Sequence, residues 1–362
     1  MNRQEAAEAF QADRAHLEAC GVILPQAKSY LPDEFRKDFA LAMDAMPALM
    51  TDPNSAIPAY LTTMVDPTVL EIVFAPSKAA KIAGETKKGT WLDDTAMFPT
   101  VEHTGEVSSY GDFNTNGRAG ANTTWPQRQS YLFQTVKEYG ERELERADLA
   151  RINWASQIDK AAATVSAKFQ NLTYFYGVAG LQNYGLLNDP GLSASLTPAT
   201  KVAGGVKWVN AGQINASANE VYADIQALFI KLVAQTAGLV DKESKLILAM
   251  SPTSDVALTA TNSFNVNVYD LLKKNFPNIR FETAVQYGAL SASNPQGVSG
   301  GELVQLIAEE IEGEKSVECA FNEKMRAHAV IKDMSSYKQK VTGGSWGAIV
   351  RRPMAFAQML GV

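Results

Sequence analysis

The chain has 362 residues, with 33 Lys+Arg against 39 Asp+Glu, a formal net charge of −6 and 46% hydrophobic residues. These are ordinary globular values; they exclude a disordered polymer, a collagen-like repeat and a disulfide-stapled scaffold, and the length suits two or three folded units. The acidic balance argues against non-specific grip on nucleic acid, which needs Lys and Arg to neutralise phosphates; these residues form no block, only doublets such as Lys87-Lys88, Lys273-Lys274 and Arg351-Arg352.

In chain order, Ala6, Phe10 and Leu17 share one face of a first helix, and Phe35, Phe39, Met43 and Met46 line a second from about Asp33 to Met46. Pro47, Pro53, Pro58, Pro67 and Pro76 then favour extended chain. Residues 1–77 therefore read as an arm with short helices that lies across something. Residues 78–134 are rich in Thr and aromatic residues around an Asn116-Gly117 turn signal. They read as one long β-hairpin with few aliphatic residues of its own, projecting and packing on another chain. Trp91, Phe98, Tyr110, Phe113, Arg118 and Trp125 are its expected subunit-interface residues.

From Gly140 to Tyr176, Leu144, Ile152, Ile158, Ala162, Val165, Phe169 and Leu172 keep helical spacing, which predicts one spine helix of about 50 Å. It ends in a glycine-rich turn, Gly177 to Leu192, containing Asn188-Asp189-Pro190-Gly191. Ser217-Ala218-Asn219-Glu220 is a capping box before a helix ended by Gly238. Strands are expected at Lys245–Met250, Ile279–Val285, Glu302–Ile311 and Val317–Phe321, with helical pieces near Asp255 and from Tyr269 to Asn275. Arg326 to Val362 reads as β-structure with a turn at Thr342–Ser345.

The chain offers little chemistry. His16, His103 and His328 lie in separate segments without metal-ligand spacing, so neither metal nor cofactor is expected. Gly84–Thr90 resembles a phosphate loop but lacks a lysine after its second glycine. No nucleophile–base signature occurs, and Glu309, Glu310 and Glu312 suit a solvated face. Cys20 and Cys319 read as reduced thiols, and the first twenty residues, acidic and without an apolar centre, do not read as a signal peptide. No run reaches the length of a membrane span.

Two runs carry a resemblance: Tyr184-Gly185-Leu186-Leu187-Asn188-Asp189-Pro190-Gly191-Leu192, directly after the spine helix, and Ser345-Trp346-Gly347-Ala348-Ile349-Val350-Arg351-Arg352-Pro353-Met354-Ala355. With the order of elements from about residue 60 onward, the chain resembles the major capsid proteins of tailed bacteriophages, of the Hong Kong 97 type, and their encapsulin relatives. The resemblance implies an α+β fold: an N-terminal arm (1–77), an E-loop hairpin (78–134), a peripheral domain with the spine helix (135–202), an axial domain (203–322) and peripheral C-terminal strands (323–362). It implies a structural, non-enzymatic subunit that is made in the host cytoplasm and resides in the virion. Copies would assemble as hexamers and pentamers of an icosahedral shell enclosing DNA without sequence-specific contact and without a membrane. A separate scaffolding protein, a portal and a decoration protein are the further partners implied. Some members crosslink through a hairpin lysine; no lysine lies between Lys88 and Lys137 here, so a non-covalent shell is expected. An encapsulin compartment is the alternative within the class, and a soluble α/β enzyme using the lobe from about Ala203 to Asn322 is the reading from another class.

Overall fold

The computed structural model describes residues 77–362, apart from Arg151 and Ala211. The two N-terminal helices, the proline-punctuated arm, Cys20 and His16 lie outside the described residues. The described chain is built on two four-stranded sheets.

The first sheet has the order β1 (Glu85–Lys87), β14 (Val317–Asp333), β15 (Ser336–Val350), β6 (Tyr131–Gly140). The short β1 runs parallel to β14, and the other pairs are antiparallel. Helix α3 (Trp154–Tyr176) packs on β15, β6 and β14, with the Phe169 ring 4.9 Å from that of Phe133. The second sheet has the order β10 (Ile279–Thr283), β9 (Leu246–Met250), β11 (Leu303–Ala308), β16 (Phe356–Leu360). Every residue of β9 and β11 is buried, as expected for strands covered on both faces; β9 is apolar throughout, and β11 is apolar but for Gln305, whose Oε1 accepts from the Tyr287 hydroxyl at 2.7 Å. Helix α4 (Ala218–Gln235) places Val221, Ile225, Leu228 and Leu232 in this core. Its capping box is formed: Glu220 accepts from the Ser217 N–H and hydroxyl at 2.8 and 2.7 Å.

The structure corrects three expectations. The spine is broken into α2 (Glu141–Leu149) and α3. Asn153 starts α3 afresh, its Oδ1 accepting from Ser156 N–H at 3.1 Å, so a good N-cap inside an otherwise helical pattern wins over continuity. The 23-residue α3 spans about 35 Å. Secondly, Thr342–Ser345 is no turn but lies within β15, where glycine supplies space. A Cβ on Gly344 would stand 2.0 Å from Asn322 Oδ1, and one on Gly343 2.6 Å from the Phe133 ring. The reversal falls at Met334-Ser335 between β14 and β15, with Met334 at φ 53°. Thirdly, Glu302–Ile311 divides into β11 and the short β12 (Glu310–Ile311), which pairs with β13 (Glu314–Lys315). Strand β14 also runs without a break through residues 322 and 323, and β16 returns to the second sheet beside β11.

The two sequence runs singled out above meet in space. Chain 183–187 folds back on the end of α3: Leu186 and Leu187 N–H donate to Tyr174 and Phe175 carbonyls at 2.9 and 3.0 Å. The closing strand then docks on this turn, with Ala348 N–H donating to Tyr184 O at 2.9 Å and Asn183 Nδ2 to Ser345 O at 3.0 Å. Both contacts need glycine. A Cβ on Gly185 would lie 2.1 Å from the Phe175 carbonyl carbon, and one on Gly347, which has φ 73°, 2.3 Å from Tyr184 O. Gly180 has a similar φ of 86° but nothing within 4 Å. Gly180→Ala is expected to cost about 1–2 kcal/mol, the left-handed backbone alone. Gly185→Ala is expected to cost about 3 kcal/mol or more, because backbone must move. Urea unfolding of the three proteins checks the order; equal losses would refute it.

Candidate functional site

The feature that the fold leaves unexplained is the hairpin of β3 (Thr100–Glu106) and β4 (Arg118–Thr124). All seven residues of each strand are exposed, and among the described residues each strand pairs only with the other, from Thr100 opposite Thr124 to Glu106 opposite Arg118. The tip between them carries Val107, Tyr110 and Phe113, each at least 93% exposed. It is nonetheless shaped: Asn114 Nδ2 donates to Ser109 O at 2.9 Å, Tyr110 O–H to Asp112 at 2.7 Å, and Gly117 takes φ 86° into β4. A hairpin without a buried face is marginal in water, and large apolar side chains held at its end mark a contact surface.

The root of the hairpin is fixed by one buried carboxylate. Glu318, on β14, accepts from Lys88 Nζ at 2.7 Å, from Arg351 Nη2 at 2.7 Å and Nε at 3.2 Å, and from Thr86 Oγ1 at 2.8 Å. Lys88 is held through its backbone as well, its N–H donating to Phe321 O at 2.8 Å and its carbonyl accepting from Trp346 Nε1 at 2.9 Å. On the second limb, β5 (Gln127–Gln129) pairs with β2 (Thr95–Met97). Gln129 N–H donates to Gln182 O, and Arg128 forms an ion pair with Asp189 at 2.7 Å. Both limbs are thus tied to the body near the glycine junction, and β3 and β4 beyond them are exposed. Burial disfavours the Glu318 charge, but the hydrogen bonds from Lys88, Arg351 and Thr86 outweigh it and hold its pKa below the usual carboxylate value.

The six expected interface residues divide. Trp91 packs within its own chain, 4.6 Å from the Arg326 guanidinium and edge-on to His328. Phe98 packs against Ala320, Trp346 and Ile349. Tyr110, Phe113, Arg118 and Trp125 are exposed along the hairpin. The root cluster was missed because it brings Thr86 to Glu318 across 232 residues and Arg351 to it across 33; the available signals were two basic doublets and a lone acid in an apolar strand. Cys319 is fully buried, and burial raises its thiol well above the ordinary value, which makes it inert.

The family model described as Pa193 gp26 major capsid protein matches residues 48–361. Among solved structures, the capsid of Myoviridae phage XM1 superposes with a TM-score of 0.67 at 16% identity, over 85% of this chain and 100% of that one. The capsid of the empty GTA particle gives 0.53 at 11% identity, over 85% and 99%. Gordonia phage Cozz gives 0.51 at 11% identity, over 94% and 98%. The fold is therefore the Hong Kong 97 type that the two sequence runs imply. No individual curated protein matches the sequence.

The lowered Glu318 pKa carries a sign. Its contribution to stability is complete above the unfolded carboxylate value of about 4.3 and is lost as pH falls through the lower folded value. The root is therefore expected to hold at neutral pH and to loosen only in acid. Glu318→Gln leaves Lys88 and Arg351 without their counter-charge and is expected to cost about 1–3 kcal/mol at pH 7. It should also flatten the acid limb of the stability–pH curve, measured by denaturant midpoints from pH 7 to pH 3. An unchanged acid limb would show that Glu318 does not hold the root.

Proposed function

Because this chain belongs to the Pa193 gp26 major capsid protein family, we propose that its exposed hairpin is the part that joins one subunit to the next. The protein is a phage major capsid subunit that resides in the capsid of the virion and self-assembles into capsid oligomers. The family match turns the choice left open by the sequence away from an encapsulin compartment. Subunits form the hexamers and pentamers of an icosahedral shell, and the role is structural, without a catalytic step.

The observation that carries this reading is the wholly exposed β3–β4 pair with its apolar tip. Such a projection orders chain at an entropic cost of about 1–2 kcal/mol per residue and buries almost nothing in return. A neighbouring subunit that covers it supplies the missing burial, and stability then depends on assembly. The two sheets support a reading of the lobes. The second sheet with α4 forms the axial lobe and takes β16 with it. The first sheet with α3 forms the peripheral lobe, to which the whole of β14 belongs. The arm lies over neighbouring subunits as the hairpin does. DNA is enclosed without sequence-specific contact, the chain is made in the host cytoplasm, and scaffolding, portal and decoration proteins are separate chains.

Assembly of the purified protein, followed by light scattering and negative-stain microscopy, tests the reading. Tyr110→Asp with Phe113→Asp should leave subunit unfolding within about 0.5 kcal/mol, as for exposed positions, while particle yield falls at least about tenfold, or about 1.4 kcal/mol. Normal particles from the double variant would contradict the role given to the tip. Particles of one size from the chain alone would remove the need for a scaffold. On a denaturing gel, wild-type particles should run as one band, since the hairpin between Lys88 and Lys137 offers no lysine. A ladder would show covalent joining.

A further inference from the structure

Asn116-Gly117 is the only asparagine–glycine step in the 362 residues, and the structure presents it in the open. Asn116 is exposed, between the hairpin tip and β4. Its backbone N–H is held, donating to Asn114 Oδ1 at 2.9 Å. Its side-chain amide has no hydrogen-bond partner among the described residues, and the Gly117 N–H donates to none of them. Gly117 has φ 86° and, lacking a Cβ, leaves its own nitrogen open to approach.

Other asparagines lack this combination. Asn114, in the same exposed tip, is followed by Thr115, whose branched Cβ crowds the next nitrogen. Both ends of its amide are engaged: Nδ2 donates to Ser109 O and Ser108 Oγ at 2.9 and 3.2 Å, and Oδ1 accepts from Asn116. Asn262, before Ser263, is pinned by the Phe264 and Val266 N–H groups at 2.9 and 3.1 Å. The chemistry open to Asn116 alone is ring closure on its own backbone. The Gly117 nitrogen loses its proton to solvent and bonds to Asn116 Cγ. The Cγ–Nδ2 bond breaks, and Nδ2 leaves with a proton as ammonia, giving a five-membered succinimide. Water then adds to one of the two ring carbonyls and opens the ring, leaving aspartate or isoaspartate at position 116. Water is the sole co-reactant, and nothing is oxidised or reduced.

We propose that Asn116 is a spontaneous deamidation site that ages the unassembled subunit at the tip of its hairpin. Either product adds a carboxylate beside the apolar Val107, Tyr110 and Phe113, and a charge is costly to cover. The isoaspartyl product also inserts one backbone carbon just ahead of β4, where Glu106 stands opposite Arg118. The chemistry stands on the subunit alone. Its consequence, a limited time in which a free subunit can join a particle, rests on the assembly reading above.

The test holds full-length subunits unassembled at neutral pH and follows their digests by mass spectrometry over time. Position 116 should gain about 1 Da, as a mixture of aspartyl and isoaspartyl forms. Its rate should lie within about tenfold of that of the same chain in guanidinium chloride, since no local opening has to come first. Asn114, in the same exposed tip, should convert at least about tenfold more slowly than Asn116. A slower folded rate at position 116, or equal conversion at Asn114, would overturn the proposal. Fully converted subunits should then give a particle yield at least about fivefold below that of fresh ones. Asn116→Gln, whose longer side chain closes a ring poorly, should keep its yield through the same incubation. Full yield from converted wild-type subunits, or equal loss in Asn116→Gln, would overturn the ageing role. Failure of fresh subunits to form particles refutes the assembly reading instead, and the mass measurement then decides the deamidation site by itself.

Discussion

The structure depends on a backbone contact that only glycine permits. The last turn of α3, the returning chain at 183–187 and the closing strand β15 approach until Ala348 N–H meets the Tyr184 carbonyl at 2.9 Å. Gly185 gives way to the helix end on one side and Gly347 to Tyr184 on the other. Asn183 sits between them and ties a third partner, its Nδ2 donating both to Ser345 O and to Gln129 O at 3.0 Å. Helix, first sheet and the returning limb of the hairpin are thereby joined at one place. The second sheet is joined there too, because Gln305 of β11 donates to Leu186 O at 3.3 Å.

What that junction holds in place is a limb that the subunit does not stabilise. The hairpin is anchored at both limbs, through Glu318 on one side and Arg128–Asp189 on the other. Between the anchors every residue of β3 and β4 is exposed. A rigid root with an uncovered projection fits a subunit whose last increment of stability comes from its neighbours, so the particle is more stable than the part by linkage.

Much of this was legible in the sequence where the cause is local. The hairpin, the Ser217–Glu220 capping box and the buried strand at 246–250 follow from turn chemistry, capping and apolar runs. The two runs that carried the family resemblance prove to be the two halves of the glycine junction. The failures share a physical reason. Apolar spacing continues across Ala150–Asn153, so periodicity alone cannot see that Asn153 restarts the helix by capping Ser156. Gly343-Gly344 looks like a turn, yet these glycines make room for Phe133 and Asn322, which lie far off in sequence. The Glu318 cluster and the internal packing of Trp91 and Phe98 likewise come from tertiary contacts. For the hairpin aromatics, composition told that they need a surface but not whose.

The central claim is that a hairpin bare in the subunit becomes covered in the shell. Hydrogen–deuterium exchange of the 100–124 segment, compared between unassembled subunits and particles at the same pH, tests it most directly. The account predicts that amides of this segment exchange at least about tenfold more slowly in particles, while those of the buried strand 246–250 change little. Equal exchange of 100–124 in both states would contradict it.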